Sequence, residues 1–230
     1  SASCMYVLGQ VYELEETMRD YTKSLKYYRS AADLGDSRAY VKLGIFANDG
    51  QGMERDIPRG FHYFKKAREL GDEGAEGYII FVLSRNDVET LGVDLNEEIS
   101  YAKVKAEAGD ADAAFVVYKL MLADPASDVA DCAIWQKKAV QGGNMTAISG
   151  YAYLWAGDVI EKIDADVFIE GCKKAMQNGE QLSPEVCYAL GQSYKEAVGV
   201  NHNLSMAEKY IKQAADNGYV LAMRVLGSEY

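Results

Sequence analysis

Apolar and small residues recur along this chain with a period far longer than one helical turn, and the clearest statement of the pattern is Val186–Tyr230. A small or branched residue, three spacers, Leu-Gly, two spacers and Tyr occur there twice. Val186 precedes Leu190-Gly191-Gln192-Ser193-Tyr194, and Ala222 precedes Leu226-Gly227-Ser228-Glu229-Tyr230. Between them lie a turn-rich connector and a helical run closing in Ala214-Ala215-Asp216-Asn217-Gly218. A unit that restarts after 36 residues marks a repeat array.

The closing glycine extends the frame over the whole chain: Gly35, Gly71, Gly109, Gly143, Gly179 and Gly218, with intervals of 36, 38, 34, 36 and 39 residues. Fifteen residues before each stands Asp20, Asp56, Asp94, Asp128, Asp164 or Asn203. Side-chain oxygens at a fixed place before a helical run read as N-caps, which accept from the unpaired N–H groups of the first turn. The glycines read as C′ residues, which commonly take the left-handed conformation.

Between cap and glycine the pattern predicts a second helix. Its inward face carries an aromatic seven residues after the cap: Tyr27, Tyr63, Tyr101, Trp135 and Tyr210, with Gly171 as the exception in the fifth unit. One turn on come Ala31, Ala67, Ala139, Ala175 and Ala214, small enough to admit a neighbouring helix. The first helix of a unit is marked by Leu8-Gly9 with Tyr12, Leu43-Gly44 with Ala47, and Leu190-Gly191 with Tyr194. Glycine within a helix costs about 1 kcal/mol against alanine, so its recurrence implies a close helix crossing. Ile80, Tyr118 and Ala152 replace it in the middle units, where the crossing is expected to differ. Asn48-Asp49-Gly50-Gln51-Gly52 has some look of a calcium loop but lacks the terminal acidic ligand, and reads as a turn.

Taken together, Leu-Gly-x-x-Tyr, a glycine-containing connector, an acidic cap, an aromatic in helix two and an Ala-Ala-x-x-Gly close resemble the Sel-one-like repeat (SLR) family, related to tetratricopeptide arrays. The match is closest in the second and sixth units, fair in the first and weaker in the third to fifth. The resemblance implies an all-α fold, a right-handed α/α superhelical solenoid. One domain, 1–230, would hold repeats at about 4–38, 39–74, 75–112, 113–146, 147–185 and 186–221, with a half repeat at 222–230. It also implies a scaffold or adaptor without catalysis by the repeats themselves. The alternatives it leaves are a bacterial immunity or host-interaction protein that neutralises a partner, and a regulatory repeat segment of a larger enzyme or envelope-assembly protein.

In related solenoids the concave wall is built from first-helix residues that point away from the packed Leu and Tyr positions. Carried over, this geometry gives a partner-binding surface at Tyr6, Gln10, Ile45, Phe81, Phe115, Lys119, Tyr153, Tyr188 and Gln192. Val41, Gly77, Ser149, Arg224 and Ser228 share the strip. Aromatics interleaved with polar residues suit a protein or peptide partner, the rings supplying contact area and the polar groups register. Lys65, Lys66, Lys137, Lys138, Lys173 and Lys174 fall on second helices and read as a solvated convex face.

Composition narrows the chemistry further. A net charge of −11 disfavours binding to nucleic acid or an anionic membrane, which demands a basic stripe that this sequence does not show. No apolar run approaches the roughly 20 residues of a membrane span. His62 and His202 stand in no metal-ligand spacing, and no nucleophile elbow, phosphate loop or dinucleotide fingerprint occurs. Neither cofactor, metal nor catalytic residue is therefore expected. Cys4, Cys132, Cys172 and Cys187 form no CxxC motif. Cys4 takes an alanine place in the repeat and so is expected to be buried. No disulfide is assigned, although Cys172 and Cys187 fall in adjoining helices. The sequons Asn144-Met145-Thr146 and Asn203-Leu204-Ser205 matter only in a eukaryotic secretory chain. The chain opens without methionine and inside a repeat, as an expressed fragment would, so the compartment stays open between cytoplasm and, after removal of a signal segment, periplasm or exterior. The half repeat would expose an apolar face and invite self-association.

Overall fold

The computed structural model describes residues 1–156 and 164–227. Among these it has fourteen helices and no strand. The chain divides into two compact units, Ser1–Ala102 and Lys103–Tyr230, with the boundary inside one helix. The first unit holds α1 (Ala2–Leu14), α2 (Tyr21–Asp33), α3 (Ser37–Asp49), α4 (Ile57–Glu69), α5 (Ala75–Arg85), the short α6 (Val88–Leu91) and the start of α7 (Leu95–Glu107). The second holds the end of α7, then α8 (Ala111–Ala123), α9 (Val129–Gln141), α10 (Met145–Ala156), α11 (Ala165–Gln177), α12 (Pro184–Glu196), α13 (Leu204–Asp216) and α14 (Val220–Gly227). In the first unit α1 packs on α2, α2 on α3, α3 on α4 and α4 on α5. In the second, α8 packs on α9, α9 on α11, α10 on α12, α12 on α13 and α13 on α14.

All six closing glycines are left-handed, with φ between 82° and 97°. Each ends its helix with the same pair of bonds: Gly35 N–H donates to Ala32 O, and Asp36 N–H reaches back to Ala31 O. The corresponding pairs recur at Gly71, Gly109, Gly143, Gly179 and Gly218. This is the Schellman closure, which satisfies carbonyls that the helix end leaves open. The residue after the glycine then has a second task, absent from the sequence reading. Asp36, Asp110 and Asn144 accept from the N–H of Arg38, Ala113 and Ala147 and so cap the next helix. Helix stop and helix start are thereby compressed into two residues.

The second-helix caps hold at Asp20, Asp56, Asp94, Asp128 and Asn203, whose side chains accept from first-turn amides. Asp164 departs from the expectation: its side chain makes no cap bond and instead pairs with Lys137 Nζ at 2.7 Å.

The expected core aromatic is also corrected, by one residue. Tyr27 and Tyr63 are half-buried and Tyr101 is 45% exposed, whereas Tyr28 and Phe64, eight residues after their caps, are buried. Trp135 and Tyr210 are buried as expected. The helix glycines show why the eighth place matters. A Cβ on Gly9 would lie 2.6 Å from Tyr28 Cε1, and one on Gly44 would lie 2.4 Å from Phe64 Cε1. Gly191 meets Ile211 Cγ1 at 2.7 Å in the same way. Each glycine is the seat of a side chain from the partner helix. Where the middle units put Ile80 or Ala152 in its place, the eighth position shrinks to Ala102 or Cys172.

Two further expectations change. Cys4 is exposed, while Cys132, Cys172 and Cys187 are buried, and all four are free. The last helix begins at Val220, two residues before the half repeat was placed, and Ser228, Glu229 and Tyr230 lie outside the described residues. Between Ser84 and Val93 the chain forms α6, whose Val88 and Leu91 are buried.

Candidate functional site

The first helices of successive repeats lie one repeat apart, so residues 36 positions apart share a register. Ile45 of α3 and Phe81 of α5 are such a pair, and both line one groove of about 570 Å³ in the first unit. Asn48, Asp49, Phe64, Gly74, Gly77 and Tyr78 complete the lining. Tyr78 stacks on Phe64 at 5.0 Å between centroids and 9° between planes, so the ring that seats on Gly44 also braces the groove. Phe81 is 46% exposed and is covered on one side by the Arg85 guanidinium, 4.1 Å from its centroid. Asp49 ends α3, where Gly50 turns the chain with φ 73°, and Arg55 Nε donates to Asn48 O at 2.8 Å. The loop once comparable to a calcium site is a hydrogen-bonded turn.

The other strip residues fall into different settings. Tyr6 and Gln10 meet one another, Gln10 Nε2 donating to the Tyr6 hydroxyl at 3.4 Å, with Arg38 stacked 4.5 Å over the Tyr6 ring. The same arrangement recurs in the second unit. Gln192 Nε2 donates to the Tyr188 hydroxyl at 2.8 Å, and Tyr219 stands 5.2 Å from the Tyr188 ring. Lys119 is half-buried, Tyr153 is 77% exposed, and Phe115 is buried at 7%. Phe115 therefore presents little to a partner. His62 and His202 are exposed.

Tyr78, Phe64, Asn48, Asp49 and Gly74 were not read from the sequence as lining. Tyr78 precedes the Leu position, a place that carries Val7, Lys42 and Val116 in other units, so the repeat frame assigns it no face. Only the stack on Phe64 reveals it.

Charge is organised elsewhere in the same unit, between α4, α5 and α7. The Glu98 carboxylate, buried, is held by both Arg68 terminal nitrogens at 2.7 and 2.9 Å. Glu76 of α5 and Lys65 of α4 join the cluster at 3.0 and 3.1 Å, and the Arg68 guanidinium lies 3.8 Å over the Tyr101 ring. Burial alone would lower the Arg68 pKa, but hydrogen bonds to Glu98 and Glu76 outweigh it and raise the guanidinium further. Among the described residues no group of His, Cys, Asp and Glu could hold a metal ion.

Three stretches of the chain, 2–36, 37–72 and 184–219, match the Sel1 repeat model. They are units one, two and six of the frame above. No curated protein matches the chain. Solved structures do, among them two that cover nearly the whole of this chain. One is a protective antigen present in uropathogenic Escherichia coli strains and displaying an SLR fold, at 22% identity and a TM-score of 0.72, covering 99% of this chain and 48% of that one. The other is a Sel1 repeat protein from Oxalobacter formigenes, at 24% identity and a TM-score of 0.67, covering 100% of this chain and 66% of that one. The chain thus spans about half the length of the first and just under two thirds of the second. Repeats of this kind generally serve protein interaction and are generally non-catalytic. No helix among the described residues is long and apolar enough to cross a membrane. Helix pairs closed by a left-handed glycine, three model matches in phase with them and two SLR neighbours over nearly the full chain show that the chain carries three Sel1 repeats and has the SLR solenoid fold.

Proposed function

We propose that the protein is a non-enzymatic scaffold or adaptor that binds a protein or peptide partner through its first-helix face, with the groove between α3 and α5 as the main contact. The observation that carries the reading is the meeting of Ile45, Tyr78 and Phe81, apolar groups from two repeats, around one open groove of about 570 Å³. Large apolar side chains left partly exposed lose contact with water when a partner covers them, at roughly 25 cal/mol per Å². Interfaces draw most of their affinity from a few such anchors. Within the same unit Tyr6 with Gln10 supplies a peripheral contact whose hydroxyl and amide set register; Tyr188 with Gln192 and Tyr153 offer the same kinds of group on the second unit by itself. Phe115 takes no direct part.

Peptides selected from a displayed random library on the whole chain test this. Binding of the selected peptides is then measured with Phe81→Ala and Ile45→Asp proteins whose circular dichroism matches the wild type. Affinity falls by about tenfold or more, as loss of an interface anchor requires. Unchanged affinity in both variants removes the groove from the binding surface.

A further inference from the structure

Gly77 lies in the first turn of α5 and lines the groove, yet a Cβ built on it meets nothing within 4 Å. It differs in this from Gly9, Gly44 and Gly191, whose missing side chains seat Tyr28, Phe64 and Ile211. Its φ is not in the left-handed region either. Neither packing nor backbone conformation asks for glycine here, and a helix is less stable with it than with alanine. At the same register units one and six carry Tyr6 and Tyr188, whose half-buried rings occupy the wall. What glycine supplies at 77 is room, between the apolar surfaces of Ile45, Tyr78 and Phe81.

The rim of that room carries charge of both signs, the Arg85 guanidinium lying on the Phe81 ring and the carboxylates outnumbering it. Asp49 lines it, and Glu73, exposed, immediately precedes the lining residue Gly74. Neither carboxylate forms an ion pair among the described residues, Asp49 accepting only from Asn48 Nδ2. Ser1–Ala102 as a whole carries eighteen acidic side chains against twelve basic ones. An apolar socket whose rim carries two unpaired carboxylates against one guanidinium complements a segment of opposite character, because charge fixes approach and register while the buried anchor supplies affinity.

We infer that the groove is a socket for one bulky apolar side chain, aromatic or leucine, carried on a partner segment with lysine or arginine on both sides of it. The inference rests on the groove being the binding surface and specifies what it takes. Gly77 sets the size of the anchor; Asp49 and Glu73 select its flanks.

Three synthetic peptides titrated into the ¹⁵N-labelled chain test it by amide shifts: Lys-Lys-Phe-Leu-Lys-Lys, Glu-Glu-Phe-Leu-Glu-Glu and Lys-Lys-Ala-Ala-Lys-Lys. The first shifts Gly74, Gly77 and Ile45 amides, and the other two bind at least about tenfold more weakly. Added salt weakens the first peptide, as expected for charge-guided binding. Gly77→Tyr restores the side chain of units one and six, fills the socket and abolishes the shifts; Gly77→Leu fills it with a smaller group, and Gly77→Ala retains binding. Equal binding by the acidic-flanked peptide, or wild-type binding by both filled variants of unchanged helicity, overturns the socket. A library-selected peptide that is sensitive to Phe81→Ala but indifferent to Gly77→Tyr removes the socket and keeps the groove. One indifferent to both removes both.

Discussion

Glycine serves three distinct purposes in this chain, and single substitutions separate them. At the unit ends it supplies positive φ; at Gly9, Gly44 and Gly191 it supplies a seat; at Gly52 and Gly199 it does both, since the added Cβ would lie 2.8 Å from Tyr21 Cβ and from Ala165 Cβ. At Gly77 it supplies space. Gly44→Ala forces a methyl to within 2.4 Å of Phe64, and buried overpacking of this kind typically costs about 1–3 kcal/mol, more than the helix gains from alanine. The reverse case is Ala197, which ends α12 at φ 59°, where Gly50 ends α3 at φ 73°. A non-glycine residue there carries a left-handed penalty of roughly 1–2 kcal/mol, partly offset in the unfolded chain by its smaller freedom. Ala197→Gly should therefore raise stability by about 0.5–1 kcal/mol, and urea denaturation of the two variants should move the midpoint in opposite directions. A neutral Gly44→Ala would mean that the ring and glycine are not in contact.

Among the elements, the helix pair was legible because its punctuation is chemical. Cap, closing glycine and alanine groove each have one physical reason to recur, so their spacing alone recovers the second helices. The ring register was not legible, because Tyr27-Tyr28 and Tyr63-Phe64 are adjacent aromatics. Either could face inward until the partner glycine is located. Phe115 was misjudged for a related reason: Ala113 to Val117 are all buried, so α8 offers no polar side from which to read an outward face. Ile45 and Phe81 were legible because their helices have one. What no repeat frame contains is the Arg68 cluster, which links α4 to α5 and α7 through residues of different registers. Removing one partner of a buried pair leaves the other uncompensated. Arg68→Ala should cost about 3 kcal/mol or more, whereas Arg68→Met with Glu98→Leu should recover much of the loss. Thermal melts of the single and double variants check this, and a double variant no better than the single one would show that the cluster contributes more than mutual neutralisation.

At the scale of the molecule, an array of short-range contacts is stabilised unit by unit and not by one central core. The chain's own thiols report on this, because Cys132, Cys172 and Cys187 are buried in the second unit while Cys4 is exposed in the first. Burial raises the Cys172 thiol to about 12, and it raises Cys187 to about 11 from an ordinary 9.0. Thiolate is the reactive form, so both are protected by exclusion and by protonation together. At pH 8 a thiol reagent should label one cysteine of the native protein, and urea should release the other three in a single transition. The pH dependence follows from the direction of the shifts. Folded-state values above 9.0 mean that stability from these two groups is intact below about pH 9. Above it the unfolded chain loses its thiol protons first, and stability declines until the folded thiols ionise at about 11 and 12. Cys172→Ala with Cys187→Ala should flatten that decline, whatever it does to stability at pH 7. Labelling of Cys132 before Cys172 and Cys187 under urea would instead place its helix α9 in a separately opening segment, and the second unit would then be two cooperative pieces.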